Sequence, residues 1–180
     1  MKVRRVVVSN GADGKSKVQS DGFAPRAADY ASLPGYGDAL LWSTPAAPIV
    51  GASVPAVDAT PEVNFVAGPG ETRLMMVTFP PETQMMRADF DPAAFGAEFV
   101  QKAPGLAERF EMDHPGMHTT DSIDYDVVLD GEITLELDGG KEVVLKRNDV
   151  CVQHGTRHAW RNKTDKPATM LFVLIGAARK

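Results

Sequence analysis

This sequence has little of three features that direct proteins to particular environments. It contains one cysteine, Cys151, which excludes an internal disulfide and favours a reducing compartment. No apolar run approaches the ~18 residues of a membrane span. Basic charge is also sparse, because 19 Lys and Arg residues face 24 Asp and Glu residues, without the basic stripe of a nucleic-acid-binding protein. We therefore expect a cytoplasmic protein with no membrane or nucleic-acid partner.

The first 70 residues are rich in glycine, proline and alanine and contain many turn signals. The short apolar run at the start lacks the long apolar stretch and cleavage site of a signal peptide, so a first strand is the better interpretation. Strands are predicted at Val3–Ser9, Ala39–Ser43 and Glu62–Val66. Because residues 1–70 lack a strong periodic core pattern, they are predicted to form an N-terminal β arm rather than a separate domain.

Residues 71–113 are predicted to contain one strand and a helical insertion. The strand, Leu74–Phe79, ends at two prolines. Asp91 and Pro92 are typical of a helix N-cap and first helical position. Pro104-Gly105 is expected to divide the segment into two short helices. The apolar side of these helices would be formed by Phe95, Phe99, Leu106 and Phe110.

Residues 114–176 have the pattern of a β-rich core. Residues 132–138 alternate polar and apolar side chains, as a half-buried strand does, and Asp138-Gly139-Gly140 predicts a hairpin turn. The further predicted strands are Glu142–Leu145, Asp149–Gln153, His158–Asn162 and Thr169–Ile175. Short strands separated by glycine turns favour an antiparallel sandwich or small barrel. The chain of 180 residues suits one domain, 1–180.

The candidate site is carried by two segments of this β-rich core. His118, Thr120 and Asp124 share parity, so an extended chain directs them to one face. His158 lies in another predicted strand, with Trp160 at the same parity. Two imidazoles and a carboxylate that converge inside a barrel would suit Fe, Zn, Ni or Mn and leave positions open for substrate.

These residues resemble the two motifs of the cupin superfamily, the RmlC-like jelly-roll proteins. In the first motif, His118 is followed by Thr120 at the second histidine position, Asp124 at the glutamate position and then Gly131. The second motif is matched by Asn148, Gln153, Gly155, His158 and Asn162. The resemblance covers roughly the last 65 residues of the sequence, and the His-any-Thr and Asp variant resembles a subset of small bacterial cupin-2 proteins.

Several positions depart from the family pattern. Thr120 replaces a histidine, and a neutral hydroxyl is a poor ligand for most first-row divalent ions. Asp124 is one methylene shorter than glutamate. Gln153 replaces the proline of the second motif. Asn148 replaces a turn glycine, and asparagine tolerates that backbone conformation.

The resemblance implies a mainly β, single-domain cupin: a jelly-roll barrel with an N-terminal β arm and one or two short helices. It implies a small-molecule enzyme of lyase, isomerase or dioxygenase type that uses one divalent metal. His118, His158 and Asp124 would hold the metal, and Asp124 and His118 would be catalytic. Two alternatives are a metal-free ligand-binding cupin and a metal-free acid–base lyase. A homodimer through the N-terminal strand is also implied.

Two interpretations are open for each carboxylate near the motif. Asp124 would bind metal, orient His118 or act as a base, or it would merely cap a turn. Asp126 has the same parity. It would face inward, where repulsion from Asp124 would raise one carboxyl pKa, or it would be solvated near the strand end.

The remaining candidates have both a binding and a packing interpretation. Thr120, Asp126, Trp160 and Met75 are candidate substrate-binding residues, with Phe79, Met85 and Met86 as further candidates at an apolar mouth. Methionines and a lone tryptophan near a barrel are as readily explained as core. Cys151 is predicted to be a small core residue, whereas His114 and His154 are predicted to lie on the surface.

Overall fold

The computed structural model describes residues 1–52 and 54–180, and in these ranges the chain is mainly β. Its single α-helix, α1, is Pro92–Lys102, and short 3₁₀ turns occur at Glu82–Met86, Ala107–Arg109 and Asp138–Gly140. The strands are β1 Arg4–Asn10, β2 Ser16–Phe23, β3 Arg26–Asp29, β4 Gly37–Thr44, β5 Thr72–Phe79, β6 Ser122–Asp130, β7 Glu132–Leu137, β8 Glu142–Lys146, β9 Val150–His154, β10 His158–Arg161 and β11 Ala168–Gly176.

These strands form three antiparallel sheets. A six-stranded sheet has the order β3-β4-β5-β11-β6-β9, a three-stranded sheet has the order β10-β7-β8, and β1 pairs with β2 alone. Side chains from both larger sheets meet in one core, in which Leu40, Val128 and Met170 of the large sheet join Ile133 and Leu135 of the small one. The two sheets therefore face each other as the halves of a barrel.

Strand β11 shows why the sequence forms this arrangement. Its residues alternate strictly between buried and half-buried, and the buried ones include Met170, Phe172 and Leu174. The strand lies between β5 and β6 in the large sheet. Because successive side chains of a strand point to opposite faces, this alternation directs one face into the barrel.

Helix α1 closes an aromatic cluster beside the large sheet. Asp91 is its N-cap and accepts hydrogen bonds from the backbone N–H groups of Ala93 and Ala94. The rings of Phe95 and Phe99 stack with centroids 5.8 Å apart. The helix ends at Lys102, before Pro104-Gly105, so the predicted helix start and the predicted break are both confirmed.

The N-terminal region differs from the prediction in two places. The predicted strand Glu62–Val66 is wrong: this segment is irregular, because the Phe65 N–H donates to the Pro104 carbonyl instead of to a neighbouring strand. Strands β2 and β3 were not predicted. Every residue of β2 is exposed, so the strand lacks the alternation that reveals a half-buried strand.

Two motif positions of the barrel have structural roles. Asn148 adopts a φ of 73°, the positive value expected from a residue that replaces a turn glycine. The Asn162 side chain is fully bonded: its Nδ2 donates to the carbonyls of Phe79 and Lys166, and its Oδ1 accepts from Thr164. In the ranges that the structure describes, no helix is long and apolar enough to cross a membrane.

Candidate functional site

His118 and His158 meet on the inner side of the barrel. The two residues form an antiparallel bridge in which each backbone N–H donates to the carbonyl of the other, at 2.9 and 3.0 Å. Their imidazole centroids lie 4.3 Å apart. The structure thus brings together two residues that are forty positions apart in the sequence, as the motif spacing predicts.

Each imidazole is oriented by a backbone carbonyl two residues before it. Nδ1 of His118 lies 3.1 Å from the Gly116 carbonyl, and Nδ1 of His158 lies 2.9 Å from the Thr156 carbonyl. Only a protonated Nδ1 can donate to a carbonyl, so this geometry selects the tautomer whose Nε2 is a free acceptor.

Burial keeps both imidazoles neutral. Desolvation, with repulsion from His158 as a second cause, lowers the pKa of His118 to about 3. Desolvation also lowers the pKa of His158, although its bond to the Thr156 carbonyl opposes the shift. Two neutral rings with free Nε2 atoms can accept hydrogen bonds or bind a cation, but they are weak bases.

Aromatic rings flank the two histidines. Phe110 stacks on His118 at 4.4 Å, and Trp160 meets His158 edge-on at 5.8 Å. The Trp160 ring in turn lies 5.9 Å from Phe172. Trp160 therefore lines the inner face, as its parity predicts. Phe110 was expected only as part of a helix face, and no local signal pairs it with His118.

A polar patch lies next to the histidines along β6. Thr120, Ser122, Asp124 and Asp126 are all buried and share the inner face. The Ser122 hydroxyl donates to Thr120 Oγ1 at 2.9 Å, and the Thr120 hydroxyl makes a long hydrogen bond of 3.4 Å to Asp124 Oδ2. Desolvation raises the pKa of Asp124, while the two hydroxyls oppose that shift. Thr120 is therefore a partner of Asp124.

Asp126 is not solvated near a strand end; its inward-facing interpretation is the correct one. The side chain is only 1% exposed, because strand alternation places it two residues beyond Asp124 on the buried face. Desolvation and repulsion from Asp124 raise its pKa to about 8. Asp126 therefore holds a proton at neutral pH.

Strand β9 contributes two residues that were not predicted for the site. Gln153 pairs with Asp124 and Cys151 pairs with Asp126 in the β6–β9 register. Gln153 is buried, and its Oε1 accepts a hydrogen bond from Thr156. Cys151 packs against the core as predicted, and desolvation and the nearby carboxylates raise its pKa to about 11. The sequence signal for Gln153 was its spacing of two residues from Cys151, which places both side chains on the same face of the strand.

Several polar atoms of this patch have no hydrogen-bond partner among the residues that the structure describes. They are Asp124 Oδ1, both carboxyl oxygens of Asp126, and Gln153 Nε2. An unpaired buried polar group costs about 1–3 kcal/mol, so such atoms mark a place where another molecule completes the bonding.

The remaining candidates lie away from this patch. Met75 is buried in the hydrophobic core, which favours its packing interpretation. Met85 and Met86 are exposed. His114 and His154 are exposed, as predicted.

Two surface grooves do not coincide with the site. One of about 470 Å³ lies along β1 against Trp42, and another of about 420 Å³ lies beside Asp38 and Lys102. Neither is lined by the histidines or by the polar patch. Cys151 and Trp160 face inward and are only partly buried.

The positions of the donor atoms decide whether the predicted ligands fit a metal. In the described part of the chain, one group of three His, Cys, Asp or Glu side chains has ligand atoms within 4.8 Å of one another: Glu111, Asp113 and His114, near the surface. His118, His158 and Asp124 do not form such a group. The imidazole Nε2 atoms suit a metal, but this third ligand does not converge with them, and no step is derived through a metal.

The cupin motifs have counterparts in known proteins. Residues 111–174 match the Cupin_2 family, described as a cupin domain. The match covers less than half of the chain, and the predicted fold class, a mainly β cupin barrel with an N-terminal β arm, is confirmed. A solved cupin 2 conserved barrel domain protein from Salinispora arenicola is 18% identical, with a TM-score of 0.37, over 68% of this chain and 70% of that one.

Three curated relatives are fungal. The Phomopsin biosynthesis cluster protein C' of Diaporthe leptostromiformis is 56% identical over 62 residues, which are 34% of this chain and 33% of that protein. The Oryzines biosynthesis cluster protein J of Aspergillus oryzae is 40% identical over 78 residues, 41% of this chain and 44% of that protein. The Cupin-domain-containing oxidoreductase fogC of Aspergillus ruber is 37% identical over 82 residues, 44% of this chain and 37% of that protein.

The matched segments thus span less than half of each of these relatives. Since the three proteins are fungal, they do not support the expected bacterial subset, which stays a prediction.

Proposed function

We propose that this chain is a small-molecule enzyme whose substrate binds on the inner face of the barrel, between the histidine pair and the polar patch of β6 and β9. The observation that carries the proposal is the set of unpartnered polar atoms on Asp124, Asp126 and Gln153. They lie on the inner face of the barrel with the buried hydroxyls of Thr120 and Ser122, and the Nε2 atoms of the two imidazoles are also free.

The chemistry that these residues support is proton transfer of lyase or isomerase type. Asp126 holds a proton at neutral pH, so it can act as an acid, and Asp124, whose pKa is also raised, is the candidate base. Burial lowers the pKa of His118 and of His158, and their Nε2 atoms would accept hydrogen bonds from the substrate. A proton taken up by Asp124 and one returned by Asp126 would shift a double bond or expel a leaving group.

The names of the relatives support a role in modifying a small molecule. Two of them are named for the biosynthesis clusters of phomopsin and oryzines. Because the matched segments span less than half of each relative, the whole activity is proposed here from the site and only supported by those names.

A second candidate is oxidoreductase chemistry. It is favoured by the name of the fogC relative. Two imidazoles and a carboxylate are a ligand set of non-haem iron, which would supply oxygen activation. This candidate requires a third ligand that converges with His118 and His158.

The test is turnover of small metabolites by the full chain. Extracts of the source cells are incubated with wild-type protein, Asp124→Asn or Asp126→Asn, and compared by mass spectrometry. Asp130→Asn is the matched control, because Asp130 is exposed on the same strand. We expect metabolites that are consumed by wild type and by Asp130→Asn, with at least about a hundredfold slower consumption by the other variants, as for a lost acid or base.

Two outcomes would contradict the proposal. Equal consumption by all four proteins would exclude the carboxyl pair as the catalytic groups. A compound that binds wild type, does not bind His158→Ala and is never converted would instead support the ligand-binding alternative.

A further inference from the structure

The polar patch on the inner face has an unusual balance of hydrogen-bond acceptors and donors. Three carboxyl oxygens, one on Asp124 and two on Asp126, have no partner within the protein, whereas one unpaired donor, Gln153 Nε2, lies across from them on β9. Gln153 is only 4% exposed and Asp126 only 1%. Asp126 holds a proton in the free protein, so a ligand that displaces this proton and completes the bonding must bring more donors than acceptors.

Among the described residues, no positive charge acts on Asp124 or Asp126. The charged group that acts on Asp126 is Asp124, another acid, and the hydrogen bonds to Asp124 come from neutral hydroxyls. Another buried acid of this protein, Asp38, shows the contrast, because Arg26, Lys102 and the N-terminal amine all act on it. A buried pair of acids with no cation nearby favours a cationic ligand, whose charge also makes it easier for Asp126 to ionise.

Apolar and aromatic side chains border the carboxylates. In the β6–β11 register, Asp126 lies opposite Phe172 and Asp124 lies opposite Leu174. The Phe172 ring lies 5.9 Å from Trp160, which is partly exposed and faces inward. These rings provide a surface for the apolar body of a ligand, and aromatic faces also attract cations.

We propose that Asp124 and Asp126 bind the protonated amino group of the substrate, so that the substrates of this barrel are small amines with an apolar or aromatic body. The inference rests on the proposed function and names its substrate class. An ammonium group has three N–H donors for the three carboxyl oxygens and supplies the missing charge. Its binding displaces the proton that Asp126 holds in the free protein, and the ammonium N–H that is hydrogen-bonded to Asp126 then holds the proton that this site returns. A carboxylate or phosphate would be repelled from the same position.

A matched set of probes tests this charge preference. Benzylamine, benzyl alcohol and benzoate share one ring and differ in charge, and their binding to the full chain is measured at pH 7 by nuclear magnetic resonance titration. We expect benzylamine to bind at least about tenfold more tightly than benzoate or benzyl alcohol, since a hydrogen bond to a charged group is worth about 1.5–3 kcal/mol.

Asparagine variants locate the binding. Asp126→Asn and Asp124→Asn should each weaken benzylamine binding by about tenfold, and the double variant should abolish the preference for the amine. Asp130→Asn, at the exposed end of the same strand, should bind benzylamine as wild type does. If circular dichroism shows that the double variant is unfolded, the two single variants carry the test.

Benzylamine binding no tighter than benzyl alcohol binding would overturn the inference, and so would amine preference that persists without both carboxyl groups. The proposed function has a separate test. If Asp126-dependent turnover were found for a substrate without an amino group, the amine inference would fail while the enzyme assignment would stand.

Discussion

Asp126 lies directly opposite Cys151 in the antiparallel register of β6 and β9, and both side chains face into the barrel. The neighbour of Asp126 along its own strand face is another acid, Asp124. This environment is apolar or acidic, and it explains why the Asp126 pKa is raised to about 8.

The raised pKa of Asp126 predicts how stability depends on pH. Asp126 is protonated below pH 4 in both folded and unfolded chains, but between about pH 4 and 8 the unfolded chain ionises it more readily. The favourable contribution is therefore complete at low pH and is lost as the pH rises through about 8. Asp126→Asn cannot ionise, so its melting temperature should exceed that of wild type by several degrees at pH 9, at about 2–4 °C per kcal/mol. Thermal denaturation at pH 4, 7 and 9 measures this. Asp130→Asn, the exposed control, should show no such trend, and a difference that stays constant with pH would contradict the prediction.

The histidine pair predicts a specific tautomer. Because both Nδ1 atoms lie within hydrogen-bond distance of carbonyls, long-range proton–nitrogen spectra should show protonated Nδ1 and unprotonated Nε2 in His118 and His158. The His118 signal should not titrate between pH 8 and 5, since its folded pKa is about 3. The exposed His114 and His154 provide references in the same spectra. Unprotonated Nδ1 in either buried ring would contradict the geometry.

The lowered pKa of His118 also predicts a loss of stability at acid pH. The ordinary histidine value is 6.5, so the unfolded chain binds protons below that pH while folded His118 stays neutral down to about 3. Its contribution is complete above pH 6.5 and is lost as the pH falls. His118→Phe should reduce the slope of stability against pH between 6.5 and 4, measured by urea denaturation. An unchanged slope would show that His118 is not buried as a neutral ring.

The metal content of variants tests whether Asp124 is a metal ligand together with His118 and His158. Since Asp124 does not form a three-ligand group with the imidazoles, we expect Zn or Fe content to depend on His118 and His158 and to be the same in Asp124→Asn as in wild type. Elemental mass spectrometry on protein purified without chelator or nickel resin measures this. Loss of metal in Asp124→Asn would instead establish the three-ligand site that the motif resemblance implies. Glu111, Asp113 and His114 form a separate group near the surface that could also hold metal. His114→Ala therefore serves as the control.

Gly176 at the end of β11 predicts a large loss of stability on substitution. A Cβ at this position would lie 1.9 Å from the Gly68 carbonyl oxygen and 2.8 Å from that of Ala67. The contacted atoms are backbone, so the strand or the loop must move, and Gly176→Ala should cost at least about 2 kcal/mol. Gly22→Ala is the control, because nothing lies within 4 Å of a Cβ there. Denaturant titration of both variants measures the difference, and equal stabilities would contradict the close approach.

The homodimer that the motif resemblance implies stays a prediction, and the β1–β2 hairpin offers a test. Val8 and Val18 pair across the hairpin and are both more than half exposed. If this face is the dimer contact, Val8→Asp should yield monomers by light scattering, whereas Val144→Asp, at another exposed valine, should not. A monomeric wild-type protein would exclude the prediction.

Sequence pattern alone determined much of the barrel. The alternation of residues 132–138 predicted β7, because a pleated backbone sends neighbouring residues to opposite faces. The helix start at Asp91 and Pro92 was also readable, since capping depends on residues that are adjacent in the chain. The histidine motifs predicted that His118 and His158 would meet, and they do.

Only the tertiary structure decided the environment of each polar side chain. The parity of Asp126 left both burial and solvation open, because parity gives the face of a strand but not its depth in the barrel. Gln153 joined the site through cross-strand register, and Phe110 through a bridge to His118. The distance between the Asp124 carboxylate and the two imidazoles likewise depends on how three separate segments pack. These contacts join residues that are distant along the chain, so local pattern cannot determine them.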